Sequence, residues 1–150
     1  MKHRWAALIF VLALTALVTR GADAQGGTGR DRGAGMELGQ NFPNPFNPET
    51  RIPFALGDPD QCDAARLYRV TLRVYNVLSQ PVATPLLQGE GAPPDMAGRT
   101  LENLSLPCGR YTAYWDGNYM NTSREVASGV YLYVLEVDGR KILRRMIVTK

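Results

Sequence analysis

Histidine is the residue that this 150-residue sequence most conspicuously lacks. The single histidine, His3, lies in an N-terminal segment that we expect to be removed, and the chain has only two cysteines. A chain without histidine cannot form a Ser-His-Asp triad, a Cys-His dyad or a Cys/His zinc site. We therefore expect a protein that is not an enzyme, and we assign no catalytic residue, no metal ligand and no cofactor.

Net charge is also scarce once the N-terminal segment is set aside. The whole chain carries +3, but residues 1–24 hold Lys2, Arg4 and Arg20 against Asp23. The rest has 14 basic side chains (17 less 3) and 13 acidic ones (14 less 1). A nearly neutral chain gains little from phosphate contacts, so we expect no nucleic-acid partner.

Residues 1–24 have the pattern of a signal peptide. A basic start, Met1–Arg4, precedes the apolar run Trp5–Val18, which is shorter than the roughly 20 residues of a membrane span. Ala22-Asp23-Ala24 matches a cleavage site and predicts Gln25 as the first mature residue. The alternative is an uncleaved anchor helix. We expect export, with no transmembrane anchor after cleavage.

No convincing helical periodicity occurs in the mature chain, whereas apolar and polar residues alternate in several short segments. Examples are Val70–Tyr75 and Tyr111–Trp115. About seven strands with turn residues between them predict an all-β, Ig-like antiparallel β-sandwich. Asp138-Gly139 predicts a tight hairpin turn, and Arg144, in phase with apolar neighbours, indicates a bulge or a charged edge strand.

Residues 25–39 are Gly-rich and predict a flexible leader, so we place the folded domain at 40–150. The domain opens with a segment that holds three prolines, residues 41–48, which cannot be a helix or an inner strand. We expect it to lie extended across the edge of the core with Phe42 and Phe46 as apolar pegs.

Cys62 and Cys108 are the only cysteine pair, and an oxidising compartment would permit a disulfide between them. On the chain-entropy model such a bond stabilises the fold by about 4 kcal/mol. The alternative is two unrelated half-buried thiols.

Three other groups of residues are candidate sites. Asp58, Asp60 and Asp63 could bind Ca²⁺, but Gly57-Asp58-Pro59-Asp60 is also an ordinary turn signal, which we favour. A basic cluster near the C-terminus could meet lipopolysaccharide phosphates or an acidic partner surface, and we favour a solvated edge: Arg140, Lys141, Arg144, Arg145 and Lys150. Aromatic residues could form a sugar-stacking platform, and we favour core positions for them: Tyr111, Tyr114, Trp115, Tyr131 and Tyr133.

Three blocks of the sequence resemble a known family. They are residues 40–50 (QNFPNPFNPET), residues 70–83 (VTLRVYNVLSQPVA), and the Trp115-Asp116-Gly117 turn with residues 126–133 and 144–150 (RRMIVTK). Together they resemble the type A C-terminal sorting domain of the bacterial type IX secretion system and the related Ig-like domain of the flagellar hook-capping protein. The resemblance spans about residues 40–150.

The resemblance implies a non-catalytic domain that the outer-membrane secretion machinery recognises in the periplasm. In that family the passenger then reaches the outer-membrane surface or the medium, often linked to lipopolysaccharide, so a cell-surface polysaccharide or lipopolysaccharide is a second expected partner. Carried over, the recognition residues are Arg145, Met146, Ile147, Val148 and Lys150, with strand addition at an exposed edge as the expected mechanism.

This sequence departs from the family pattern in having only a short Gly-rich leader ahead of the domain, where family members carry a large passenger. The alternative function is therefore a free-standing structural, assembly or adhesion module with no sorting role.

Overall fold

The structure is a computed structural model that describes residues 35–58, 61–63 and 65–150. The predicted signal peptide, most of the predicted leader and Asp60 lie outside the described residues. Within these ranges a pair of antiparallel sheets packs face to face, so the prediction of an all-β antiparallel sandwich is confirmed. The same ranges include no helix long and apolar enough to cross a membrane.

Nine strands are present in the described residues, where we expected about seven. They are β1 (Met36–Leu38), β2 (Thr50–Leu56), β3 (Leu67–Tyr75), β4 (Pro81–Ala83), β5 (Leu86–Leu87), β6 (Leu104–Pro107), β7 (Gly109–Trp115), β8 (Gly129–Val137) and β9 (Arg140–Val148). Sheet 1 has the order β1-β2-β7-β5 and sheet 2 the order β4-β3-β8-β9. Strand β6 also pairs with β3.

The core lies between the two sheets because alternate side chains of each long strand point inward. Its largest fully buried side chains are Trp115, Tyr133, Phe46, Leu38, Ile52, Leu56, Leu72, Leu87, Leu101, Leu106, Leu135 and Met146. Strand β8 has β-forming residues on both faces, but only its inward face is buried in the core.

Strand β1 lies within the range that we expected to be flexible leader. Met36 and Leu38 are buried in the core, and β1 pairs with the end of β2. Apolar burial at alternate positions therefore extends the fold to residue 36. Immediately after β1, the chain passes close to Pro53 of β2. A Cβ on Gly39 would lie 2.6 Å from Pro53 Cγ, so this close approach requires glycine.

Pro53 lies within β2, which β1 and β7 flank, rather than on an edge strand. Proline has no N–H to donate to a neighbouring strand. Pro53 is tolerated because it lies between two paired stretches, the end of the β1–β2 ladder and the isolated bridge that joins Phe42 to Arg51.

The β8–β9 hairpin turns at Asp138 (φ 49°) and Gly139 (φ 82°), as the sequence predicts. Its register is continuous from the Val137–Arg140 pair to the Gly129–Val148 pair, so the predicted bulge is wrong and the charged edge strand is observed. Arg144 points to the inward side, where its Nε donates a hydrogen bond to the Leu38 carbonyl at 2.7 Å. This bond links the edges of the two sheets.

Two ends of the sandwich are distinguished below. The disulfide end holds the start of β3, the β6–β7 turn and the β8–β9 hairpin turn. The terminal end holds the end of β3, the start of β8 and the end of β9.

Candidate recognition surface

The last strand, β9, is covered along half of its outer edge by residues 40–46, which we call the strap. Ile147 is bonded twice: its N–H donates to Asn44 Oδ1 at 2.9 Å, and its carbonyl accepts from Phe46 N at 3.0 Å. Thr149 N donates to the Phe46 carbonyl at 3.0 Å, and Gln40 Nε2 donates to the Arg145 carbonyl at 3.2 Å. The outward-facing backbone from residue 145 to 149 is therefore occupied by the chain itself.

Phe46 anchors the end of the strap in the core. It is 1% exposed, and its ring meets the Trp115 ring edge-on at 5.5 Å. The next residues pass so close to Gly117 that a Cβ there would lie 2.2 Å from the Pro48 carbonyl oxygen. Phe42, the other phenylalanine that we expected to be anchored in the core, is 73% exposed, so the prediction for Phe42 is wrong. The backbone of Phe42 pairs with Arg51, and its side chain lies at the surface.

Tyr133 fastens the start of the strap to sheet 2. Its hydroxyl donates to the Gly39 carbonyl at 2.9 Å and accepts from Asn41 N at 3.1 Å. Burial raises the pKa of Tyr133 to about 12, so the hydroxyl stays protonated and can donate at neutral pH. Asn41 is buried as well, and its Nδ2 donates to Thr50 Oγ1 and to the Pro43 carbonyl, both at 3.0 Å.

The five expected recognition residues divide into two sets. Met146 and Val148 are buried in the core, whereas Arg145, Ile147 and Lys150 are exposed. The Lys150 ammonium forms an ion pair with Glu125 at 2.6 Å. Only the three exposed side chains can contact a partner while the fold stays intact.

The aromatic residues follow the core interpretation with one exception. Tyr111, Trp115, Tyr131 and Tyr133 are buried, while Tyr114 lies on the outer face of sheet 1 with its hydroxyl donating to Glu49 at 2.7 Å. The hydroxyls of Tyr111 and Tyr131 donate to carbonyls four residues upstream, those of Pro107 and Ala127. The recurring Gly-x-Tyr pattern at these two sites is a signal that sequence inspection could have used.

The basic cluster is spread over both faces of the hairpin, as expected for a solvated edge. Arg144 points inward, and Lys141 pairs with Glu136 across the strands at 3.3 Å. After the predicted turn, Asp63 Oδ1 accepts a hydrogen bond from Ala65 N at 3.0 Å. Within the described segments no three acidic, histidine or cysteine side chains are grouped so as to hold a metal ion.

Cys62 and Cys108 form a disulfide with a Cα–Cα distance of 5.6 Å, so the alternative of two unrelated thiols is excluded. The bond ties the loop after β2 to the turn before β7, at the disulfide end. It accords with an exported protein, because such bonds persist in oxidising compartments.

Sequence reasoning missed one surface feature, the turn between β3 and β4. Val77 and Leu78 lie at its tip with their side chains largely exposed. The sequence signal for this feature was a pair of adjacent aliphatic residues between the turn-forming residues Asn76 and Ser79-Gln80, because surface turns ordinarily have polar residues there.

Comparisons with known proteins identify no family. No family model matches the chain, and no curated protein matches it. One solved structure is similar, the alkylpurine DNA glycosylase AlkC of Pseudomonas fluorescens bound to DNA containing an abasic site analog, at 13% identity and a TM-score of 0.40. The match covers 79% of this chain and 31% of that one, and a likeness this weak supports no inference about function.

Proposed function

We propose that this protein is an exported, non-enzymatic β-sandwich module that an outer-membrane secretion machine of the type IX kind recognises at the terminal end. It would pass through the periplasm to the outer-membrane surface or the medium. The observation that carries the proposal is that the first and third blocks resembling the sorting family meet around the last strand, while the second block lies beside them on the neighbouring strand β3.

The first and third blocks are in direct contact. Phe46 of the first block pairs with β9 through its backbone and with Trp115 through its ring. Trp115 in turn meets the ring of Tyr131 at 5.9 Å, within the third block. The second block joins them through the β3–β8 register, in which Tyr75 lies opposite Leu132. Residues far apart in the chain thus meet at the terminal end of the sandwich, and this supports a shared recognition role.

The geometry favours recognition through side chains over strand addition. The strap already bonds the outer edge of β9 from residue 145 to 149, so an incoming strand would first have to displace it. Met146 and Val148 fix the strand in the core, and Arg145, Ile147 and Lys150 project from it. We therefore infer that these three side chains form the contact.

The test is an export assay with a reporter inserted after Gly29 of the full chain, in a host with a working type IX system. The triple variant Arg145→Ala, Ile147→Ser, Lys150→Ala alters only exposed side chains. The matched control, Arg140→Ala, Lys141→Ala, Leu143→Ser, makes similar changes at the other end of the same strand. Thermal unfolding shows whether each variant remains folded.

We expect the unaltered chain and the control to carry the reporter to the surface or the medium, and the triple variant to leave it in the periplasm. If the unaltered chain also stays in the periplasm while folded, the sorting role is wrong. A free-standing structural, assembly or adhesion module would then be the better description.

A further inference from the structure

The turn between β3 and β4, residues 76–80, displays two adjacent aliphatic side chains at the terminal end. Val77 is 68% exposed and Leu78 is 74% exposed. A surface turn ordinarily uses polar residues, glycine or proline at its tip, because these residues satisfy the backbone or permit its conformation. The exposure of Val77 and Leu78 therefore calls for an explanation outside the fold of the single chain.

This turn is held rigid by the side chain of Asn76. Its Oδ1 accepts hydrogen bonds from Leu78 N at 3.0 Å and Gln80 N at 2.9 Å, and its Nδ2 donates to Gln80 Oε1 at 2.8 Å. The backbones of Asn76 and Gln80 are bonded at 3.0 Å, and Ser79 adopts a left-handed conformation (φ 59°). A partner would not have to order the backbone of the tip, so binding avoids the part of the entropic cost that comes from ordering a loop.

Two further exposed aliphatic side chains lie at the same end of sheet 2 as the tip. Val130 and Ile147 form a cross-strand pair on the outer face of sheet 2, and both are partly exposed. Since β8 lies between β3 and β9, the end of β3 from which the tip projects lies about two strand spacings, or roughly 10 Å, from β9. These four side chains are half of the eight exposed large hydrophobic residues found in the described segments.

We propose that the Val77–Leu78 tip is a second contact with the secretion machine, inserting into an apolar socket of a protein component beside the site that receives Ile147. The inference rests on the proposed function. A convex, rigid, uncharged tip fits a concave apolar surface. The polar side chains that flank it, Asn76 and Gln80, bond to each other within the turn.

A protein socket is favoured over a lipid bilayer on grounds of size. Together the two side chains present about half the hydrocarbon of one myristoyl chain, and a single such chain gives only marginal, reversible membrane binding. A socket that surrounds both side chains removes water from their whole surface, and the favourable free energy grows with the apolar area that is buried.

The test uses the reporter-bearing full chain described above. The double variant Val77→Ser, Leu78→Ser removes the apolar tip, and Leu67→Ser is the matched control, since Leu67 is 60% exposed at the disulfide end. We expect export to fall at least tenfold for the double variant and to change less than twofold for the control, with unfolding temperatures close to that of the unaltered chain.

Each result separates this inference from the proposed function. Export of the unaltered chain and the double variant at equal levels would overturn the second contact and leave the sorting role standing. Failure of the unaltered chain to be exported would overturn both. Tip-dependent binding of the purified chain to phosphatidylethanolamine–phosphatidylglycerol vesicles would replace the socket with a lipid surface.

Discussion

The two ends of the sandwich are held together by different means. At the disulfide end a covalent bond joins Cys62 to Cys108, and Asp138 makes two 3.0 Å hydrogen bonds to the backbone of Arg69. At the terminal end the strap closes the fold with hydrogen bonds and the buried ring of Phe46. Covalent closure at one end supplies stability that does not depend on any side chain of the other.

This difference means that the end that stabilises the fold covalently is not the end that groups the exposed apolar side chains. The disulfide end has a polar hairpin turn at Asp138-Gly139 and two exposed leucines, Leu67 and Leu143. The terminal end has four exposed aliphatic side chains, those of the tip, Val130 and Ile147. A domain fastened at one end can expose apolar side chains at the other and still remain folded. Variants at the two ends should accordingly differ in what they impair, and the following measurements test that.

Removal of the disulfide should have the largest effect on stability. Its two cysteines are 46 residues apart, and the chain-entropy model gives a loss of about 4 kcal/mol for the double variant Cys62→Ser, Cys108→Ser. Urea unfolding of the oxidised protein and the variant measures it. The variant should still be exported at a temperature where it is folded, and loss of export by a folded variant would contradict the separation of the two ends.

Phe46→Ala should cost about 3 kcal/mol, because it empties a fully buried site against Trp115 and loosens the strap. Phe42→Ala is the control within the same strap and should change the free energy of unfolding by less than about 0.5 kcal/mol, since Phe42 is exposed. Equal losses in urea unfolding for the two variants would show that the strap is not anchored at Phe46.

Tyr133→Phe should cost about 2 kcal/mol, because it leaves the Gly39 carbonyl and the Asn41 N–H without their hydroxyl partner. The same residue predicts a pH dependence. Its pKa is raised from 10 to about 12, so the stability it contributes is present below pH 10 and is lost as the pH rises from 10 to 12.

Urea unfolding between pH 8 and pH 12 measures the alkaline loss. The variant Tyr133→Phe should lose less stability over this range than the unaltered chain. Some loss should remain, because burial also raises the pKa of Tyr111 and Tyr131. An identical pH profile for variant and unaltered chain would contradict the burial of the Tyr133 hydroxyl.

Asn44→Ala should have the smallest effect on stability, about 1 kcal/mol, because one hydrogen bond to the Ile147 N–H is removed at the surface. Its clearer signature is local: amide hydrogen exchange at Ile147 should accelerate, while exchange at Ile142, which pairs with Leu135 within the hairpin, should not. Acceleration at both positions would mean that the strap supports the whole strand.

The sequence predicted those features that depend on neighbouring residues. Alternation identified the long strands, and Asp138-Gly139 identified the hairpin turn, because both signals lie within a few residues. For the cysteines it left two alternatives, since pairing depends on where loops meet. It did not predict β1, because Met36 and Leu38 are two isolated apolar residues among glycines.

The strap shows why the remainder could not be predicted. Phe42 and Phe46 stand in nearly equivalent local settings, each close to asparagine and proline, yet one is exposed and the other buried. Only the position of β9, about one hundred residues later, distinguishes them. The same holds for Arg144, whose inward position depends on the Leu38 carbonyl at the edge of the other sheet.

The pairing of the strap with the last strand also constrains how the chain folds. Asn44 and Ile147 are 103 residues apart, and contacts of such long range form slowly because a large loop must close first. A chain made or threaded from its N-terminus presents the strap long before the strand that it covers. Sheet 2 therefore closes at its outer edge only after the final residues have emerged, and a chain that stops short of residue 147 leaves Asn44 and Phe46 without their hydrogen-bond partners on β9.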